Sequence, residues 1–239
     1  MELVKVTIDG ITVEVPSDFT VIEAAAKAGI RIPQLCYHPE LSKEGACRVC
    51  VVEIVGGRGL GAACVYPVAD GMVVHTNTPK VRETRKAVVE LLLANHPQDC
   101  LFCQKNQDCE LQQTAADLGI REVPYKGATR SAVKDESNPS LVRDPNKCIL
   151  CGDCVRTCEE IQGMNIIDFT HRSADLRVMP AFDQKLAETD CIGCGQCAAV
   201  CPTAAITVYN DIGRVWRALH DKNKRVVFQI APAVRVAIG

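Results

Sequence analysis

Aromatic residues are scarce, at 4% of 239 residues with a single Trp. Platforms that stack the bases of single-stranded nucleic acid need such rings, so that class is disfavoured. Neither sign of charge prevails: 27 Lys and Arg stand against 29 Asp and Glu, a net charge of −2. The basic excess that tracks a phosphate backbone is therefore lacking too, and no nucleic-acid partner is expected. No apolar run approaches the roughly 18 residues of a membrane-spanning helix. Met1-Glu2-Leu3-Val4-Lys5 opens an alternating strand pattern and not an apolar signal core, so a cytoplasmic protein without a membrane span is expected. The sequence has no G-x4-G-K-S/T phosphate loop, no Ser-His-Asp pattern and no complete dinucleotide fingerprint. It thus offers no catalytic residues of its own.

With 47% hydrophobic and 23% charged residues the chain is too apolar for disorder. Its length favours more than one compact unit. Leu3–Ile8 and Ile11–Val15 alternate about Asp9-Gly10, which reads as a hairpin. Thr20-Val-Ile-Glu23 reads as a capping box that opens a helix through Lys27, stopped at Gly29. Hairpin, helix and cysteine-rich loop together suggest a β-grasp domain over 1–78. The run Gly56–Gly61 reads as a turn, since no helix start follows it to build a phosphate cradle. Thr78-Pro79 opens a helix whose Val81, Val88, Val89, Leu92 and Leu93 keep helical spacing to Ala94, before His96-Pro97. A polar linker over Tyr125–Pro139 would close a second segment, 79–138.

The third segment, 139–210, holds an internal repeat. Lys147-Cys-Ile-Leu-Cys-Gly-Asp-Cys-Val-Arg-Thr-Cys158 matches Asp190-Cys-Ile-Gly-Cys-Gly-Gln-Cys-Ala-Ala-Val-Cys201 at one constant offset. Residues 211–239 should give a helix around Val215–His220. Arg225–Ala231 then reads as an apolar strand, which cannot bury itself and would pair with something outside the sequence. The fold class expected is α+β and multidomain.

What the chain has in excess is cysteine: 15 residues. An odd number in a cytoplasmic protein argues for ligands over disulfides. Spacing sorts all of them. Cys36, Cys47, Cys50 and Cys64 form C-x10-C-x2-C-x13-C. His96, Cys100, Cys103 and Cys109 form H-x3-C-x2-C-x5-C. Cys148, Cys151, Cys154 and Cys158 form C-x2-C-x2-C-x3-C, and Cys191, Cys194, Cys197 and Cys201 repeat it before Pro202. Iron in sulfide clusters takes soft thiolates, usually four per cluster. In this C-x2-C-x2-C-x3-C-P run the fourth cysteine serves the other cluster. One [4Fe–4S] centre is therefore assigned Cys148, Cys151, Cys154 and Cys201, and another Cys191, Cys194, Cys197 and Cys158. A short helix is expected to carry each fourth thiolate across. The first group is assigned a [2Fe–2S] cluster. Zinc is the rival for paired CxxC motifs, but three thiolates within seven residues, twice, is not a usual zinc spacing. His96 supplies the donor that Cys100, Cys103 and Cys109 lack, giving a third [4Fe–4S] site. An isolated histidine is otherwise more often a cap or a surface residue. His38, His75, His171 and His220 are given no ligand role, the last three being expected to face solvent.

Over about residues 1–210 this ordered set of motifs resembles the N-terminal region of two related groups: the large iron–sulfur subunit of NADH–quinone oxidoreductase, complex I, and the multi-cluster [FeFe]-hydrogenases, including NAD(P)-linked and electron-bifurcating ones. Arg225–Gly239 resembles the start of the hydrogenase catalytic domain, whose cysteines for the hydrogen-activating H-cluster are absent from residues 1–239. The resemblance implies a relay of single electrons within a hetero-oligomer. Its partners would be a flavoprotein holding FMN and oxidising NAD(P)H, a small thioredoxin-like [2Fe–2S] subunit and soluble ferredoxin. The chain would then be either part of a hydrogenase subunit that continues past Gly239, the reading preferred, or a short relay subunit. Two alternatives stay open: an electron-transfer subunit of another NAD(P)-linked oxidoreductase, such as a formate dehydrogenase or complex I relative, and a redox sensor.

Overall fold

A computed structural model describes residues 2–127 and 131–238. Contacts divide the chain into two units, Met1–Val208 and Tyr209–Gly239. In the first, strands β1 (Leu3–Ile8) and β2 (Ile11–Pro16) pair antiparallel. Asp9 and Gly10 between them both have positive φ, 48° and 86°, as a tight two-residue hairpin requires. Val4, Val6 and Ile8 are buried while Leu3 and Lys5 are exposed, as the period of two demands. Helix α1 (Val21–Lys27) starts where the capping box places it: the Glu23 carboxylate accepts the Thr20 N–H at 2.7 Å and its hydroxyl at 2.8 Å.

Strands β3 (Val51–Ile54), β4 (Leu60–Ala62) and β5 (Met72–His75) complete a five-stranded sheet in the order β2-β1-β5-β3-β4. β3 and β4 are antiparallel around the glycine turn, and β1 and β5 run parallel. Val21, Ile22, Ala24 and Ala25 of α1 share a core with Val6, Ile8, Val52, Val74 and the ligand candidates Cys50 and Cys64. The loop that carries the cysteines is thus anchored from beneath by the sheet.

Helix α2 (Pro79–Ala94) begins at Thr78, whose Oγ1 accepts the Val81 N–H at 3.3 Å. Its Arg85, only 4% exposed, donates to the carbonyls of Val49 (2.9 Å), Val51 (3.0 Å) and Thr76 (3.3 Å). One guanidinium so fastens α2 to the sheet. Replacing Arg85 with Met leaves three buried carbonyls without that donor and should lower stability by about 2–4 kcal/mol. A drop in the melting midpoint of the loaded protein checks this, and an unchanged midpoint refutes the role. Helix α3 (Glu110–Asp117) follows, with Leu111 buried.

The repeat builds a two-stranded sheet of β6 (Leu141–Arg143) and β9 (Ile206–Val208) and the short helices α4 (Asp153–Arg156) and α5 (Gln196–Ala199). Each helix begins at a left-handed glycine, Gly152 at φ 80°, ψ −5° and Gly195 at φ 79°, ψ −4°. This matching geometry expresses the duplication, and both helices start one residue before the third cysteine. The copies then diverge. α4 runs on as a π-helical turn, Thr157–Ile161, which contains Cys158, whereas Pro202, lacking an N–H, follows Cys201 in the other copy. A hairpin of β7 (Asp168–Thr170) and β8 (Arg177–Met179) lies between them.

Leu35, Cys36, Cys47, Val49, Val89, Leu111 and Cys151 form a further buried cluster drawn from all three sequence segments. The expected linker is partly integrated as well. Residues 128–130 lie outside the described residues, but Asp135 accepts the Leu186 N–H at 2.8 Å and Asn138 accepts that of Leu141 at 3.2 Å.

The second unit contains helices α6 (Ile212–His220) and α7 (Pro232–Ile238). The strand expected over Arg225–Ala231 is not formed, and residues 225–231 carry no regular element. A strand needs a ladder partner, and none among the described residues pairs there. Pro232 instead suits a first helical turn, and Ala231 O accepts the Arg235 N–H at 3.0 Å. His75 is also half-buried, not solvent-facing, because β5 lies inside the sheet. His171 and His220 are exposed, and Asp183 lies 2.8 Å from His171. Among the described residues no helix is long and apolar enough to cross a membrane.

Candidate metal centres

In the first group, Cys36, Cys47, Cys50 and Cys64 are all buried and free. Their side chains interact as a chain: Cys47 and Cys64 with Cys36, and Cys64 also with Cys50. The Cys36 sulfur accepts from the Cys47 and Cys64 thiols and from backbone amides, which holds it down to about 2. Those same contacts, with burial, push Cys47 and Cys64 well up. Four such groups cannot all ionise in this space unless a cation neutralises them, which is the situation of thiolates around iron. Backbone N–H groups already face the sulfurs: Cys47 to Cys36 Sγ at 3.3 Å and Val49 to Cys47 Sγ at 3.5 Å.

The second group spans residues 96–109, between α2 and α3. Cys100 starts a 3-10 turn, Cys103 follows it and Cys109 caps α3. Burial raises the Cys109 thiol, and the Cys103 and Cys100 charges add to it. His96 directly follows the Asn95 cap of α2. Burial lowers its pKa and so favours the neutral imidazole, the form that binds metal. Its Nδ1 is buried without a hydrogen-bond partner among the described residues. The charges acting on it come from Lys147, Asp99 and Asp144.

The repeat brings cysteines of its two copies together. A small cavity of about 20 Å³ is lined by Cys148, Cys151, Cys154 and Cys201, with Arg143 as the cationic side chain in its wall. Burial pushes the Cys154 thiol well up, followed by the charges of Cys148 and Cys201. Cys197 is pushed up to about 12 by burial, then by Cys194, Cys191 and Cys158. Each fourth cysteine therefore faces the other copy. Amides again point at sulfur, from Leu150 to Cys148 Sγ and from Ile166 to Cys158 Sγ, both at 3.4 Å.

Residues 1–79 match a family model described as a 2Fe-2S iron-sulfur cluster binding domain. Residues 85–124 match the NADH-ubiquinone oxidoreductase-G iron-sulfur binding region, and 147–205 a 4Fe-4S dicluster domain. The chain is 45% identical over 244 residues to the NADP-reducing hydrogenase subunit HndD of Solidesulfovibrio fructosivorans, covering 100% of itself and 42% of that protein. It is 41% identical over 206 residues to the G 2 subunit of the NADH-quinone oxidoreductase of Rhizobium meliloti (strain 1021), covering 85% of itself and 24% of that protein. A chain of the crystal structure of NAD+-reducing [NiFe]-hydrogenase in the H2-reduced state superposes with a TM-score of 0.80 at 32% identity, over 86% of this chain and 87% of the other. The chain belongs to this iron–sulfur family, related to the G subunits of NADH-quinone oxidoreductases and to HndD.

This iron–sulfur protein spans less than half the length of those two curated relatives. Its 2Fe-2S and 4Fe-4S domains fall on the cysteine groups described above. Three buried polar residues beside those groups were not singled out from the sequence. They are Arg143 in the cavity wall, Arg156 between the first group and the repeat, and Asp153, whose carboxyl burial pushes up to about 7. The available hint was an asymmetry within the repeat: Asp153 and Arg156 stand where the second copy has Gln196 and Ala199.

Proposed function

We propose that the chain is the iron–sulfur electron relay of an NAD(P)-linked hydrogenase of the [FeFe] type. The observation that carries it is the cavity lined by Cys148, Cys151, Cys154 and Cys201, four thiols drawn from both copies of the repeat. Cys36, Cys47, Cys50 and Cys64 hold a [2Fe–2S] cluster on a β-grasp domain, 1–78. His96, Cys100, Cys103 and Cys109 hold a [4Fe–4S] cluster in segment 79–138. In segment 139–210, Cys148, Cys151, Cys154 and Cys201 hold one [4Fe–4S] cluster and Cys191, Cys194, Cys197 and Cys158 another. Bound there, the clusters supply one-electron storage at low potential. The chain's thiolates and the His96 imidazole would hold the iron, and backbone amides pointed at the sulfurs favour the reduced form.

Hydride transfer to or from a nicotinamide moves two electrons, so a flavin-containing partner is needed to split them. A small [2Fe–2S] subunit and soluble ferredoxin complete the partners we propose. HndD, named as part of an NADP-reducing hydrogenase, supports this reading. The second reading, a relay subunit of another NAD(P)-linked enzyme, is favoured by the [NiFe]-hydrogenase chain, 87% of which is covered. The native complex decides. Hydrogen uptake with NAD(P)+ together with a denatured subunit mass far above 25.9 kDa supports the first. A mass near that value means a self-contained relay with catalysis on a partner subunit, and a complex showing neither hydrogen uptake nor evolution sinks the first reading.

His96 gives a separate test. A neutral imidazole replaces an anionic thiolate, so the loaded His96→Cys variant should keep its cluster at a lower potential. An unchanged redox titration removes His96 from the ligands.

A further inference from the structure

Arg156 is 3% exposed and lies between the third and fourth cysteines of the first repeat. Its Nη2 donates to the carbonyl of Cys36 at 3.0 Å and to that of Cys151 at 3.4 Å. Nη1 donates to the carbonyl of Ser42, and Asp153 pairs with the guanidinium. Glu44 lies further out, at 3.9 Å. A single buried cation thus bonds to the main chain of a residue from each of two ligand groups that are more than 100 residues apart in sequence.

The cysteine motif itself does not require this residue. The second copy forms the same glycine-capped helix with Ala199 at the equivalent position. Nor does the seam between segments depend on it alone. The Ser42 N–H and hydroxyl both bond to the Glu160 carboxylate, the N–H at 2.9 Å. A buried arginine flanked by only one close carboxylate is costly to desolvate, so a tie that hydrogen bonds already make gives no reason for it. A positive charge shared by two iron centres does. It favours the added electron at each, and burial leaves it little screened by salt.

We infer that Arg156 is a positioning residue that couples the Cys36 centre to the Cys151 centre, holding one ligand loop of each and raising the potential of both. This rests on the ligand sets proposed above.

The test uses the loaded chain under exclusion of oxygen, in four forms: unaltered, Arg156→Gln, Arg156→Lys and Ser42→Ala. Iron content is measured first, then each centre's midpoint by redox titration followed by electron paramagnetic resonance. The expected result is full iron in Arg156→Gln with both midpoints lowered. The reduced-to-oxidised ratio at fixed potential should fall about tenfold at each centre, which is about 59 mV for a one-electron couple. Arg156→Lys, which keeps the charge but not the fork, should shift both in the same direction by less. Ser42→Ala, which weakens the seam without changing charge, should leave both where they were. Wild-type midpoints in fully loaded Arg156→Gln, a shift at one centre only, or an equal shift in Ser42→Ala overturns the inference. If Arg156→Gln does not assemble, wild-type midpoints in loaded Arg156→Lys overturn it. Absence of iron from the unaltered chain, by contrast, defeats the ligand sets and not the coupling.

Discussion

Purified without oxygen, the chain is expected to carry about 14 irons and no stoichiometric zinc, the sum for one two-iron and three four-iron clusters. The expectation follows from the donor set. Fifteen thiols and one half-buried imidazole leave no cysteine over, and none is in a disulfide. The competing metal would be zinc, which also takes four thiolates. Zinc centres are single ions, however, and three thiolates within seven residues, twice, is not a usual zinc spacing. Elemental analysis with acid-labile sulfide decides between the metals, and a zinc-dominated result would end the relay reading. Stripping the metal should also loosen the protein, because cysteines contribute to all three buried clusters. Thiolates that lose a shared cation repel one another at close range, so metal binding and folding are linked. We expect the stripped chain to lose cooperative melting and to be cut readily by proteases.

Cysteine substitutions in the repeat should act across it. Cys201→Ser is expected to remove or convert the cluster of Cys148, Cys151 and Cys154, with a loss of up to about four irons, and to spare the one held by Cys191, Cys194 and Cys197. Cys158→Ser should do the reverse. The argument is positional: Cys201 lines the cavity with the first three cysteines, while the Cys158 charge acts on Cys197. The two loaded variants, compared by iron content and by the spectra of their reduced clusters, distinguish crossed from uncrossed ligation. If each fourth cysteine silenced the cluster of its own motif, the crossed assignment would be wrong.

Local chemistry made much of this protein legible in advance. The alternation in β1, the positive-φ pair Asp9-Gly10, the Thr20–Glu23 box and the Thr78-Pro79 start each depend on residues a few positions apart, and each is formed where the pattern places it. The repeat was equally legible, and Gly152 and Gly195 adopt nearly the same angles. The tail was misread for a related reason. Arg225–Ala231 has the composition of a strand, but a strand exists only through its partner, and composition says nothing about whether one is present.

The sequence by itself determined which residues offer metal-binding donors, how they are spaced and where most helices and strands begin. A ligand motif is a matter of spacing along the chain, and spacing is written in the sequence. Only the tertiary structure decided that the three segments share a buried cluster, that Arg85 fastens α2 to the sheet, and that Arg156 reaches Cys36 and Cys151 at once. Each of those contacts joins elements far apart in the chain. Their geometry is set by how the elements pack, and no local periodicity encodes it.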